Sequence, residues 1–160
     1  MKKLLSGMLW GTTLLSTISM ADAQLATKKV LTLEAAKQIA AAAQAEAKKN
    51  NWTMVICVVD DGGRLIYLER MDGTQLGSIQ VAQDKASTAL MFKRPSKAFE
   101  DTVAGGRVAV IKLSGVTPVE GGLPIVIDGQ YVGAIGVSGG TSPQDGQVAA
   151  AGLKAAENLK

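Results

Sequence analysis

Ser138 lies in Gly136-Val137-Ser138-Gly139-Gly140, the G-x-S-x-G arrangement that sets a serine nucleophile on a sharp turn. A serine hydroxyl reacts only beside a base. The chain has no histidine and no S-x-x-K spacing to supply one, so the glycines read instead as places where a strand approaches its neighbour, or a ligand, closely. The lack of histidine and the single cysteine, Cys57, also exclude imidazole-ligated haem, histidine zinc sites and internal disulfides. Carboxylates that might hold a metal are scattered, and Asp60-Asp61 could meet Asp128 only if two turns lay side by side. Cys57 sits inside the apolar run Met54–Val59 and reads as a small buried hydrophobe. Gly139 to Gly146 opens a helix, so its N–H groups either bind an anion or are capped by Ser142 and Asp145. Lys93-Arg94 either meets an anionic ligand or steadies a helix C-terminus.

The elements that position these residues follow from periodicity. Thr32 is a candidate N-cap for a helix whose stripe is Leu33, Ala36, Ala40, Ala43 and Ala47, stopped by Asn50-Asn51. Thr53–Val59 and Arg64–Met71 flank Asp60-Asp61-Gly62-Gly63 as a β-hairpin. A helix over Gly77–Phe92 places Ile79, Ala82, Ala86, Ala89 and Leu90 inside, with Lys85 and Thr88 elsewhere on the wheel. Pro95 breaks it, Ser96 caps a shorter helix through Val103, and Val108–Leu113 is a strand or a helical turn. A second hairpin turns at Asp128-Gly129, and Ser142-Pro143 starts a last helix patterned by Val148, Ala151, Ala155 and Leu159. The order predicts one α+β domain, an antiparallel sheet with helices on its faces.

Residues 1–23 are expected to be a secretory signal: Lys2-Lys3, an apolar stretch over Leu4–Met20 and the small-x-small Ala21-Asp22-Ala23. Removing 23 of the 160 residues leaves 137, a domain at 24–160 that is periplasmic or secreted and has no later span of the membrane. The 17 basic and 14 acidic side chains are mixed along the chain, which argues against a nucleic-acid footprint.

Arg70-Met71-Asp72-Gly73, Ala82–Ala89, Gly121–Gly129 and Val132–Gly139 occur in this order, and together they make the chain resemble the GlcG/HbpS-like family of haem-degrading or haem-binding domains from about Leu31 to Leu159. The resemblance implies a profilin-like antiparallel sheet flanked by helices, assembly from dimers to octamers, and binding of haem with oxidative degradation in some members. Its alternative is a corrinoid-binding, small-molecule or sensory accessory protein without enzymatic activity. The chain departs from the family in having Asp145-Gly146 where an Asp-Glu pair is common.

If haem is the cofactor, its iron must be met without imidazole. Tyr67, Tyr131, Met71, Met91, Cys57 and Lys85 are the available donors, and hard ferric iron favours the Tyr67 phenol as metal ligand. Lys85, Arg94 and the loop of Gly139, Gly140 and Ser142 would anchor propionates, joined by Gly121 and Gly122 of the family motif. A groove shared by Lys85 and Arg94 would be completed across a subunit boundary.

Overall fold

The computed structural model describes residues 24–157 and 159; the expected signal at 1–23 lies outside the described residues. Helix α1 (Leu33–Lys49) is followed by strands β1 (Val55–Asp60) and β2 (Leu65–Arg70) and helices α2 (Gly77–Met91) and α3 (Lys97–Ala104). Strands β3 (Gly122–Ile127) and β4 (Gln130–Ser138) and helix α4 (Ser142–Ala156) complete the chain. The expected order of helix, hairpin, helices, hairpin, helix is the observed one. Val108–Lys112 forms a 3₁₀ turn, the helical of its two readings. The four strands make one antiparallel sheet in the order β2-β1-β4-β3.

Alternation along the strands splits the core into two layers. Ile56, Val58, Ile135 and Val137 pack with Ile39, Ala43 and Val148 of α1 and α4. Val55, Cys57, Val59 and Ala134 pack with Ala82, Ala86 and Ala89 of α2. Gly136 pairs with Gly122 across β4 and β3, and both lie directly under α2. A Cβ on Gly136 would come within 2.0 Å of the Ala82 carbonyl oxygen, and one on Gly122 within 2.1 Å of the Lys85 carbonyl oxygen. The absent side chains let the helix backbone rest on the sheet.

Both hairpin turns lie at the same end of the sheet, because Asp60 pairs with Gly133 while Val55 pairs with Ser138. The second turn uses Asp128 at φ 48° and Gly129 at φ 75°, the left-handed pair that a two-residue hairpin loop demands. An extra residue in β2, Ile66, sits between the pairs Val58–Tyr67 and Val59–Leu65. This bulge turns Ile66 to the α1 layer beside Tyr67.

Several local expectations are corrected. Thr32 does cap α1, accepting from Ala35 N at 3.2 Å, but Leu33 is exposed and Ile39 takes the buried place. Lys85 and Thr88, expected away from the core face of α2, are both buried. Ser96 does not cap α3; its hydroxyl donates to Val119 O at 2.6 Å and accepts from Gly122 N at 2.9 Å, which ties the helix entry to β3. Thr141, not Ser142, is the N-cap of α4, with Gln144 Oε1 accepting from Thr141 N at 2.9 Å. The buried stripe of α4 runs through Asp145, Val148, Ala149, Gly152 and Ala156, so Ala151 and Ala155 stand off it.

Candidate functional site

The expected site residues divide between places the fold keeps apart. Lys85, Gly121, Gly122, Gly139, Gly140 and Ser142 gather at the end of the sheet where β4 runs into α4. Lys85 is 1% exposed. Its ammonium donates to Asp145 Oδ2 at 2.7 Å and to Val137 O at 3.1 Å. Asp145 Oδ1 accepts from Gly140 N at 2.9 Å. Gly121 passes so close that a Cβ there would lie 3.0 Å from the Lys85 nitrogen.

Gly140 N and Thr141 N are thus already bound by Asp145 and Gln144, so two donors of the suspected anion loop are spent inside the fold. Asp145 fills the capping role expected of it; Ser142, the first residue of the helix, does not. The Gly146 position leaves space that the Glu120 side chain occupies, its Oε1 lying 2.2 Å from where a Cβ would stand. Ser138 is buried, its hydroxyl 3.1 Å from that of Ser78, which is no base. The corner is a closed clasp joining α2, β4 and α4.

Tyr67 lies elsewhere, half-buried against the α1 and α4 layer. Its hydroxyl donates to Glu69 Oε2 at 2.9 Å. That hydrogen bond, with partial burial behind it, raises the Tyr67 pKa and keeps the phenol protonated. Met71 follows β2 and lines a depression with Gln44, Lys48 and Arg70. Arg94 steadies the end of α2: its Nε donates to Phe92 O at 3.2 Å and its guanidinium lies 5.4 Å from the Phe99 ring centre. Lys85 and Arg94 therefore do not face a common groove, one being internal and the other exposed. Cys57 is fully buried, and burial pushes its thiol up to about 12.

The opposite end, where both hairpin turns meet the C-terminus of α2, is open. A depression of about 550 Å³ is lined by Leu90, Met91 and Lys93 from the helix end, Asp61 and Gly62 from one turn, and Gly129, Gln130 and Tyr131 from the other. Met91 is 62% exposed. Arg94 N donates to Ala89 O and Lys93 N to Leu90 O, the paired bonds of a Schellman ending. Lys93 holds the left-handed position at φ 51°, where glycine is the usual occupant and another residue costs roughly 1 kcal/mol. The side chain kept at that cost lies over Tyr131, with its nitrogen 5.1 Å from the ring centre. The Tyr131 hydroxyl donates to Lys93 O at 3.3 Å.

The leader before α1 ties down both rims. Lys28 pairs with Asp61 and Lys29 with Asp128, while Lys29 N donates to Gln130 Oε1 at 2.9 Å. The two turns do lie side by side, yet Asp61 and Asp128 are each taken by a lysine, and Asp60 Oδ1 accepts from Gly62 N and Arg64 N. Among the described residues no cluster of three or more carboxylates or Cys57 is arranged to hold a metal ion. A phenol, a thioether and an ammonium thus converge on one concave surface. Tyr131 and Met91 are among the donors read from the sequence and Lys93 among the candidate partners of an anionic ligand, but nothing local ties the three together or marks the leader as part of their site. The nearest signal is the Phe92-Lys93-Arg94-Pro95 helix ending, which lacks glycine.

A family model described as haem degrading protein HbpS-like matches residues 31–154. Protein GlcG of Escherichia coli K12 is 46% identical over 112 residues, covering 70% of this chain and 84% of that protein. The crystal structure of Klebsiella pneumoniae protein ORFY superposes with a TM-score of 0.78 at 32% identity, covering 88% of this chain and 99% of that one. The crystal structure of a PduOC:heme complex superposes with a TM-score of 0.72 at 27% identity, covering 79% of this chain and 95% of that one. No described helix is long and apolar enough to cross a membrane.

Proposed function

The chain belongs to the HbpS-like family, and from that premise we propose that it is an exported haem-binding protein whose ligand enters the depression between the hairpin turns and the end of α2. The observation that carries the reading is Lys93, a cation held in a backbone conformation suited to glycine and set over Tyr131. Strain of this kind persists where the side chain serves a purpose. The donor set fits the group. Tyr131 offers a hard oxygen and Met91 a soft sulfur to iron, Lys93 a cation to a propionate, and Leu90 an apolar wall. When bound, haem supplies a redox-active iron that the polypeptide itself lacks.

This reading moves the iron-side donor from Tyr67 to Tyr131 and Met91, because those two line the depression and Tyr67 does not, its pKa being raised besides by the hydrogen bond to Glu69. About 550 Å³ lies within the range of small-molecule sites. The open side calls for a second copy of the chain to cover the rest of a flat ligand, which is the homo-oligomer we include in the proposal. Export by residues 1–23, cleavage after Ala23 and oxidative loss of the bound ring under peroxide belong to it as well.

The test is a hemin titration of the chain beginning at Gln24. A saturable Soret shift is expected, altered in position by Tyr131→Phe or Met91→Leu and weakened about tenfold by Lys93→Ala, the loss expected when a charged partner is removed. A parent spectrum that never saturates would defeat the proposal.

A further inference from the structure

Asp61 and Asp128 stand on the two rims of the depression, where Lys93 alone would be outnumbered by acids. Asp60 and Arg64, on the first turn, offset each other; Asp60 Oδ1 is also occupied by Gly62 N at 2.9 Å and Arg64 N at 2.8 Å. A mouth with that balance would repel a dicarboxylate ligand. The leader reverses it, since Lys28 and Lys29 each neutralise one rim acid. Among the described residues Lys93 makes no ion pair with a carboxylate, so its charge remains available to a ligand. Lys29 N also fastens Gln130 at the edge of the mouth.

We propose that Lys28 and Lys29 determine the ligand preference of the mouth: by masking Asp61 and Asp128 they make it accept planar ligands that carry two carboxylates. The inference rests on the reading of the mouth as a haem site. The lysines touch the rims and not the depression wall formed by Met91 and Tyr131, so they act as specificity-determining residues through charge. Opposite charge near a binding cleft raises affinity and salt sensitivity together. Hydrogen bonding to Asp61 raises the Lys28 pKa, consistent with a lysine committed to that rim.

The experiment compares hemin, which carries two propionates, with hemin dimethyl ester, which carries none, on the chain from Gln24. Lys28→Ala/Lys29→Ala should weaken hemin about fivefold while leaving the ester within about twofold, and the hemin loss should shrink at high salt. Adding Asp61→Asn/Asp128→Asn to those changes should restore hemin affinity, because the exposed acids are gone. Circular dichroism checks that the variants, altered at exposed positions and at the partly buried Asp61, stay folded.

Equal weakening of hemin and ester would overturn the inference, since it would mean that the leader merely shapes the mouth. So would an unchanged double variant, or a quadruple variant that recovers nothing. Failure of the parent to bind hemin saturably overturns the haem reading itself and this inference with it. Saturable binding by the parent with unaltered variants overturns only the inference.

Discussion

The two ends of the sheet solve opposite problems with the same kinds of residue. At the end where β4 meets α4, a lysine, a carboxylate and a serine are sealed inside, and each finds an internal partner. At the end of the hairpin turns, a lysine, carboxylates and a tyrosine face outward, and the backbone accepts a strained residue to place one of them. Glycine and lysine in a sequence motif therefore do not by themselves mark a ligand site. What separates the two ends is whether the polar groups are already spent.

Breaking the closed end should give the largest effect. Asp145→Ala strands the Lys85 ammonium in the interior, and removing one partner of a buried pair costs about 3–5 kcal/mol. Urea denaturation should show that loss, and Lys85→Met in the same chain should return a large part of it. A loss below about 1 kcal/mol would mean that water reaches the corner, and the contrast between the ends would fail.

The open end should respond in the reverse sense. Lys93→Gly relieves the left-handed strain and is expected to raise stability by about 1 kcal/mol while weakening hemin. Thermal unfolding and the hemin titration, run on the same variant, report the two effects separately. A variant less stable than the parent would show that Lys93 belongs to the architecture and not to the mouth.

Near neutral pH the smallest expected signal comes from Cys57, which faces α2 in the same cross-strand row as Gly136 and Gly122. Burial keeps the thiol protonated up to about pH 12, whereas the unfolded chain ionises near 9. The native state is therefore undisturbed below pH 9, and stability should fall as pH rises from there toward 12, by up to about 1.4 kcal/mol per pH unit. At pH 8 the folded protein should resist a thiol-specific disulfide reagent that labels it fully in urea. Rapid labelling of the folded form would show that the α2 layer opens.

Much of the architecture is legible in the sequence because its signals are local. Asn50-Asn51 and Pro95 stop helices where they should, Asp128-Gly129 closes its hairpin, and the almost continuous apolar run of Thr53–Val59 gives a strand buried on both faces. The misplaced details are those decided at a distance. Lys85 reads as a solvated lysine on α2 because the acid that buries it is 60 residues away. Ser142 is displaced as cap by Thr141, a choice that the T-x-x-Q pattern of Thr141 and Gln144 does encode. The mouth is legible only in fragments: Tyr131 and Met91 suggest donors, but their meeting with Lys93 and the leader depends on how two turns and a helix end converge.

Gly122 and Gly136 leave α2 and the two strands beneath it touching backbone to backbone. A seam of that kind offers substitution nothing to edit, since any added atom collides with a carbonyl. Divergence in what such a chain recognises is thereby channelled to the rims, where the helix runs out and residues can be exchanged without unseating the frame.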